Sequence, residues 1–297
     1  MAVHDPQAEL KGFKGAHEFF VGIDSDGCVF DTMELKHKEC FIPNIIRYWD
    51  LQPVSKYARA AAEFVNLYSK WRGINRFPAL VMVFDLLADW DEVARRAAPI
   101  PEGREIREFI DSGVPLGNPE LAKIAGETGN PVLKRTLDWS KAVNASIADM
   151  VHGVPPFPNV RESLDKLAKF ADIICVSATP GEALRREWEE HGIAERAAVI
   201  AGQDMGSKAE HLQFAAKGRY PSDRILMIGD APGDLKAARA NGALFFPINP
   251  GREDASWELF LNEAIDVFKS GNYAGSYEAR LIKEFEALLP STPPWKK

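Results

Sequence analysis

From Asn159 onward the apolar positions switch repeatedly between two periods. Behind Asn159, a residue type that caps helices, Val160, Leu164, Leu167 and Ala168 recur at helical spacing, and the run Ala171–Thr179 that follows is short, apolar and rich in β-branched residues. A helix followed by a buried strand is expected. The same alternation continues with a helical segment closed by Gly192, an apolar run Ala197–Gly202, a helix Lys208–Gly218, a strand Arg224–Asp230, a helix with Pro232 near its start and Gly242 after its end, and a strand closed by Pro250. Near the other end, Glu18–Asp24 is one more apolar run that stops at an acid. Strand and helix in turn imply an α/β protein with a parallel sheet covered by helices on both faces.

Residues 32–154 differ in character. Phe64, Leu67, Tyr68 and Trp71, and again Leu80, Val83, Phe84 and Leu87, mark helical faces, and no strand pattern is present. The expected organisation is therefore an α/β core of residues 1–31 and 155–297, with a helical insertion, residues 32–154, after the first strand. The return runs through the proline-rich stretch Val154–Val160, which suits an extended linker. Residues 251–297 form a C-terminal extension with helical patterns around Trp257–Phe268 and Tyr277–Leu289, and the last residues, STPPWKK, read as a frayed end.

Charge narrows the function classes. With 43 acidic against 36 basic side chains in 297 residues the net charge is −7, the opposite of what a phosphate-backbone reader carries, so no nucleic-acid partner is expected. No stretch approaches the roughly 18 apolar residues of a membrane span, and the opening residues lack a signal-peptide pattern. A cytoplasmic protein with no membrane partner is the expectation. Cys28, Cys40 and Cys175 are odd in number and far apart, which fits a reducing compartment and gives neither a disulfide framework nor a zinc pattern. Cys28 reads as a packing residue, since no basic neighbour in sequence would activate it.

Two acidic constellations stand at predicted strand ends. Asp24-Ser25-Asp26-Gly27 follows the first strand, and ligands of open parallel sheets sit beyond the carboxyl ends of strands. A second D-x-D triplet, Asp89-Trp90-Asp91, is a useful contrast: Asp85, Asp89 and Glu92 fall opposite the apolar face of Leu80, Val83, Phe84 and Leu87, so they read as a solvated helix face. The other constellation is Gly229-Asp230-Ala231-Pro232-Gly233-Asp234. Asp234 at a helix start complements the helix dipole, whereas Asp230 at a strand end converges with Asp24 and Asp26 if their strands are neighbours. Like charges about 4 Å apart repel by roughly 4 kcal/mol at an effective dielectric of 20, so such a cluster shifts its pKa values or takes a cation, and hard oxygen ligands suit Mg²⁺. Ser177 closes another predicted strand and Lys208 opens a helix; a hydroxyl with free amides and a point charge are suited to phosphate.

Acid pair, serine, lysine and acid pair, in that order at strand ends, resemble the four motifs of the haloacid dehalogenase superfamily, phosphatase type. The match rests on Asp24–Gly27, on Val176-Ser177-Ala178-Thr179, on Lys208 and on Gly229–Asp234. It covers less than half of the chain and implies a Rossmann-like catalytic core of residues 1–31 and 155–297 with a helical cap domain, residues 32–154; the length of the cap and the C-terminal extension are not explained by it. The resemblance implies that Asp24 attacks phosphorus and that Asp26 acts as general acid and then general base. It further implies that Ser177, Ala178 and Lys208 hold the phosphoryl oxygens. Asp24, the Asp26 carbonyl and Asp230 would bind Mg²⁺, and Asp234 would support that shell. Members acting on carbon–halogen or carbon–phosphorus bonds generally lack the second acid, so Asp26 points to a phosphate ester. The expected function is a Mg²⁺-dependent phosphatase of a small phosphorylated metabolite. A phosphomutase shares every motif, and a non-catalytic metabolite- or partner-binding module on the same core is the alternative from another class.

Substrate choice would fall to the cap. Lys36, His37 and Lys38, and Lys70, Arg72, Asn75 and Arg76 with Trp71 and Phe77 between them, are basic and aromatic residues suited to a second anionic group or a sugar face. A solvated basic helix face explains them equally, and His37 alone reads as a surface or capping residue.

Overall fold

Five short runs pair into one all-parallel sheet: β1 (Phe19–Ile23), β2 (Ala171–Val176), β3 (Val199–Ala201), β4 (Ile225–Gly229) and β5 (Leu244–Pro247), in the order β3-β2-β1-β4-β5. The computed structural model describes residues 5–296. Nearly every strand residue is buried, which is why these segments read as continuous apolar runs rather than alternating ones. The register sets Val21 beside Ile173 on one side and Leu226 on the other. The chain thus leaves β1 in both directions, and a crevice opens at that switch point, beyond the carboxyl end of β1.

The helices expected between strands are present at Val160–Leu167, Gly181–Glu190, Lys208–Ala215 and Pro232–Ala240. Asn159 stands at the N-cap position as expected, but with φ +70° and no side-chain capping bond. Gly22 is required by a close approach: a Cβ there would lie 2.9 Å from Leu212 Cδ2, 3.1 Å from Val176 Cγ2 and 3.2 Å from Met227 Sδ. Its absence lets the helix Lys208–Ala215 lie down on β1.

The C-terminal extension acquires a structural role. β5 is an edge strand, and its outward backbone groups at Phe245 are both taken: the N–H donates to Glu278 at 2.8 Å and the carbonyl accepts from Tyr273 Oη at 2.9 Å. Covering an open edge prevents pairing with other chains. Trp257, fully buried, donates from Nε1 to the Cys28 carbonyl at 2.8 Å and so secures the loop after β1.

The chain divides into two compact units, Met1–Thr32 with Gly153–Leu288, and Met33–His152 with Leu289–Lys297. The second contains helices and no strand among its described residues. Its longer helices are Ser55–Asn66, Arg76–Ala88, Asn118–Thr128 and Pro131–Met150. Leu80, Val83, Phe84 and Leu87 are buried while Asp85 and Asp89 are exposed, Asp85 paired with Arg107. No helix is long and apolar enough to cross a membrane among the described residues.

The segment expected to fray is held as far as Lys296. Trp295 stacks on Trp90 with ring centres 4.1 Å apart and planes 2° from parallel, and meets Phe64 edge-on at 5.7 Å. Lys70 N donates to the Pro290 carbonyl, and Lys296 pairs with Asp89. Because two aromatic contacts and a buried face are lost together, Trp295→Ala is expected to destabilise this unit by about 1–3 kcal/mol. Amide exchange along Ser55–Asn66 will then quicken by about tenfold or more, and unchanged protection there would contradict the packing role.

Candidate active site

Asp24 extends the ladder by one residue, its N–H donating to the Ile228 carbonyl at 3.0 Å, and the chain then folds back on itself. Ser25 O accepts from Val29 N at 2.8 Å and Phe30 N at 3.1 Å, Gly27 N donates to Phe30 O at 2.8 Å, and Gly27 takes φ +75°, open to glycine without cost. Ser25 anchors this turn from below: its hydroxyl is buried, accepts from Trp188 Nε1 at 3.0 Å and donates to Glu187 Oε2 at 3.4 Å. The Asp26 carboxylate accepts from Thr32 Oγ1 on one oxygen and from Thr179 Oγ1 on the other, at 2.7 Å.

At the end of β2, Ser177 is 2% exposed, its N–H donating to Ala201 O and its Oγ accepting from Thr179 N at 3.2 Å. Ala178 beside it is exposed. Lys208 is the first residue of its helix, which Ser207 and Glu210 close with a reciprocal capping box. With the helix settled over Gly22, the Lys208 ammonium donates to Asp24 Oδ2 and to Asp234 Oδ1, both at 2.6 Å.

Asp234 does more than complement the helix dipole. It is fully buried, its Oδ2 accepts from Ala231 N at 3.0 Å, and its other oxygen takes Lys208. Gly229 makes room for it, since a Cβ there would lie 2.4 Å from Asp234 Cβ and Cγ. Asp230, 1% exposed, completes the cluster: ligand oxygens of Asp24, Asp230 and Asp234 all lie within 4.8 Å of one another.

Two of the three buried carboxylates, Asp24 and Asp234, thus share one ammonium. Burial drives the Asp24 carboxyl up to about 7 even though Lys208 pulls it down, and Asp234 pushes it up further. Asp234 is raised for the same reason, with Lys208 opposing and Asp230 adding to the rise. Lys208 is itself held above its ordinary value, because Asp234 and Asp24 outweigh the cost of its burial. Burial and then the Asp24 charge push the Cys28 thiol up, so it is a neutral packing group and no nucleophile. A buried donor set made of carboxylate oxygens within 4.8 Å of one another fits a hard divalent cation. Mg²⁺ meets that description.

The structure therefore brings Asp24, Asp26, Ser177, Lys208, Asp230 and Asp234 to one edge of one sheet, at the ends of β1, β2 and β4. Lys36, His37, Arg72 and Arg76 belong to the helical unit. Lys36 and His37 open a π-helical turn, Lys36–Phe41, and His37 stacks on Phe41 at 4.6 Å. Arg72 is buried, with Nη1 donating to the Leu67 carbonyl at 2.9 Å, an internal role that a solvated basic face does not describe. Sequence reasoning overlooked Thr32, Thr179 and Trp188. Thr179 stands inside the second motif, but nothing local marks a threonine as the partner of an acid more than 150 positions away. Thr179→Val keeps the shape and removes one of the two hydroxyls on Asp26. It is expected to lower kcat/KM on a phosphate monoester by about tenfold, the worth of a hydrogen bond to a charged group; an unchanged value would remove Thr179 from the site.

The chain is similar to several solved structures. They include a haloacid dehalogenase-like family hydrolase from Streptococcus pneumoniae (15% identity, 85% of this chain and 97% of that one, TM-score 0.42). Another is a haloacid dehalogenase-like family hydrolase from Xanthomonas campestris (12%, 85% and 96%, 0.40). A third is a predicted phosphoglycolate phosphatase from Haemophilus somnus (16%, 78% and 86%, 0.40). No protein-family model and no curated protein matches the chain.

Proposed function

We propose that this protein is a Mg²⁺-dependent phosphatase of the haloacid dehalogenase type, acting on a small phosphorylated metabolite. The observation that carries the reading is the ion set at the switch point: Asp24, Asp230 and Asp234 within 4.8 Å of one another, with Lys208 bonded to two of them. Asp24 Oδ2 attacks phosphorus and takes the phosphoryl group. Asp26, its carboxyl steered by Thr32 and Thr179, gives a proton to the leaving oxygen and then takes one from the water that releases phosphate. The Ser177 hydroxyl, the Ala178 N–H and the Lys208 ammonium receive phosphoryl oxygens, on which charge develops. Asp24, the Asp26 carbonyl and Asp230, with Asp234 behind them, would hold Mg²⁺, which when bound would supply the remaining positive charge.

A panel of sugar phosphates, phospho-acids, nucleotides and an aryl phosphate, assayed for phosphate release with Mg²⁺ and with chelator, tests this reading. Release that needs the metal supports it. Absence of release from every ester, with tight ligand binding, would turn the assignment to a binding module. Cation binding also has a proton signature. Because Asp24 titrates near 7 without metal and must ionise to ligate, Mg²⁺ added at pH 7 is expected to release a fraction of a proton, readable by calorimetry in buffers of different ionisation enthalpy. Buffer-independent heats would contradict that step.

A further inference from the structure

Arg76 opens the helix Arg76–Ala88, and only one of its nitrogens is engaged. Its Nη1 donates to Asn144 Oδ1 at 2.8 Å, to Ser140 Oγ at 2.9 Å and to the Ser140 carbonyl at 3.1 Å. Ser140 is itself fixed, its hydroxyl proton committed to Asn118 Oδ1 at 2.6 Å, so it can only present lone pairs to the guanidinium. The guanidinium carbon lies 5.1 Å from the centre of the Phe41 ring, the same ring that stacks on His37. Phe41 in turn closes the π-helical turn Lys36–Phe41, a distortion found often at functional sites.

What is missing is a counter-charge. Among the described residues no carboxylate pairs with Arg76, and no hydrogen bond takes its Nε or Nη2. Burial depresses this guanidinium to about 10 with no acid to offset it. A half-buried cation is costly unless something pairs it. The Nε and Nη2 edge is the fork that fits the two oxygens of a carboxylate or phosphate, and here it is already oriented by the bonds on Nη1 and by the aromatic ring.

We propose that Arg76 is an oxyanion-binding residue of the helical unit, receiving a carboxylate or phosphate on its Nε and Nη2 edge with Ser140 and Asn144 as its positioning residues. The site stands on its own geometry and does not require the phosphatase reading. Its ligand is a small carboxylate or phosphate, free or borne by a larger molecule.

The test follows the arginine Nε–Hε resonances of the full chain by NMR while inorganic phosphate or succinate is added. The signal that disappears in Arg76→Lys is expected to shift saturably in the unmodified protein. In Ser140→Ala, which leaves the arginine but loosens its orientation, the same signal is expected to shift with several-fold weaker affinity; circular dichroism establishes that both variants fold. A signal that does not move with either anion up to about 20 mM, weaker than any useful site, would overturn the proposal. If no ester is turned over, the phosphatase reading fails while the NMR titration still decides the anion site.

Discussion

Asp24→Asn will reduce phosphate release to less than about 1% of the unmodified rate while the fold survives. The asparagine occupies the same volume and its amide oxygen still accepts from Ser25 N, but it has no ionised oxygen to attack phosphorus. One of the three carboxylates disappears as well, so the buried cluster becomes less strained in the absence of metal. The variant is therefore expected to melt no lower than the parent in chelator, and residual activity above that threshold would exclude Asp24 as the nucleophile. A large loss of stability would instead show that Asp24 is chiefly structural.

Lys208→Met will cost both rate and stability, and its pH dependence distinguishes it from an ordinary core substitution. Removing the ammonium leaves Asp24 and Asp234 buried without their shared partner, and breaking a buried pair in this way typically costs about 3–5 kcal/mol. The two carboxyls can escape by taking protons. Already in the intact protein the Asp24 value of about 7 lies above its ordinary 3.8, so its contribution to stability is present at low pH and is lost as pH rises through that interval. Without Lys208 both acids rise further, and the loss extends to higher pH. Denaturant midpoints of the metal-free variant are accordingly expected to fall well below those of the parent at pH 7 and to approach them near pH 5. Parallel profiles at the two pH values would show that Lys208 does not compensate these acids.

Much of this arrangement was legible because each element obeys local rules. β1, β2, β4 and β5 are buried on both faces and therefore appear as largely apolar runs, and Asp24 and Asp230 at the carboxyl ends of β1 and β4 stand out against them. The paired order of β1 with β2 and β4, which brings Asp24 to Asp230, was only an assumption in the sequence; pairing is a long-range property that no single segment encodes. The roles of Thr179 on Asp26 and of Trp188 under Ser25 depend on contacts across the fold, whereas Thr32 reaches Asp26 from six residues on, around a turn whose shape no sequence pattern announces. The frayed end was misjudged because prolines and a terminal position suggest disorder, whereas Trp295 finds a stacking partner in Trp90 more than 200 positions away. The extension was opaque for a similar reason: Glu278 and Tyr273 look like surface residues until the edge of β5 is placed beside them.

During turnover Asp24 is expected to carry the phosphoryl group. Acid quenching of the enzyme within a single turnover of an ester that it hydrolyses, followed by peptide mass spectrometry, measures this directly. A phosphoryl group on the peptide containing Asp24, absent in Asp24→Asn and absent with chelator, is the predicted result. Turnover without any covalent phosphoryl-enzyme, or phosphorylation of a residue other than Asp24, would contradict the account.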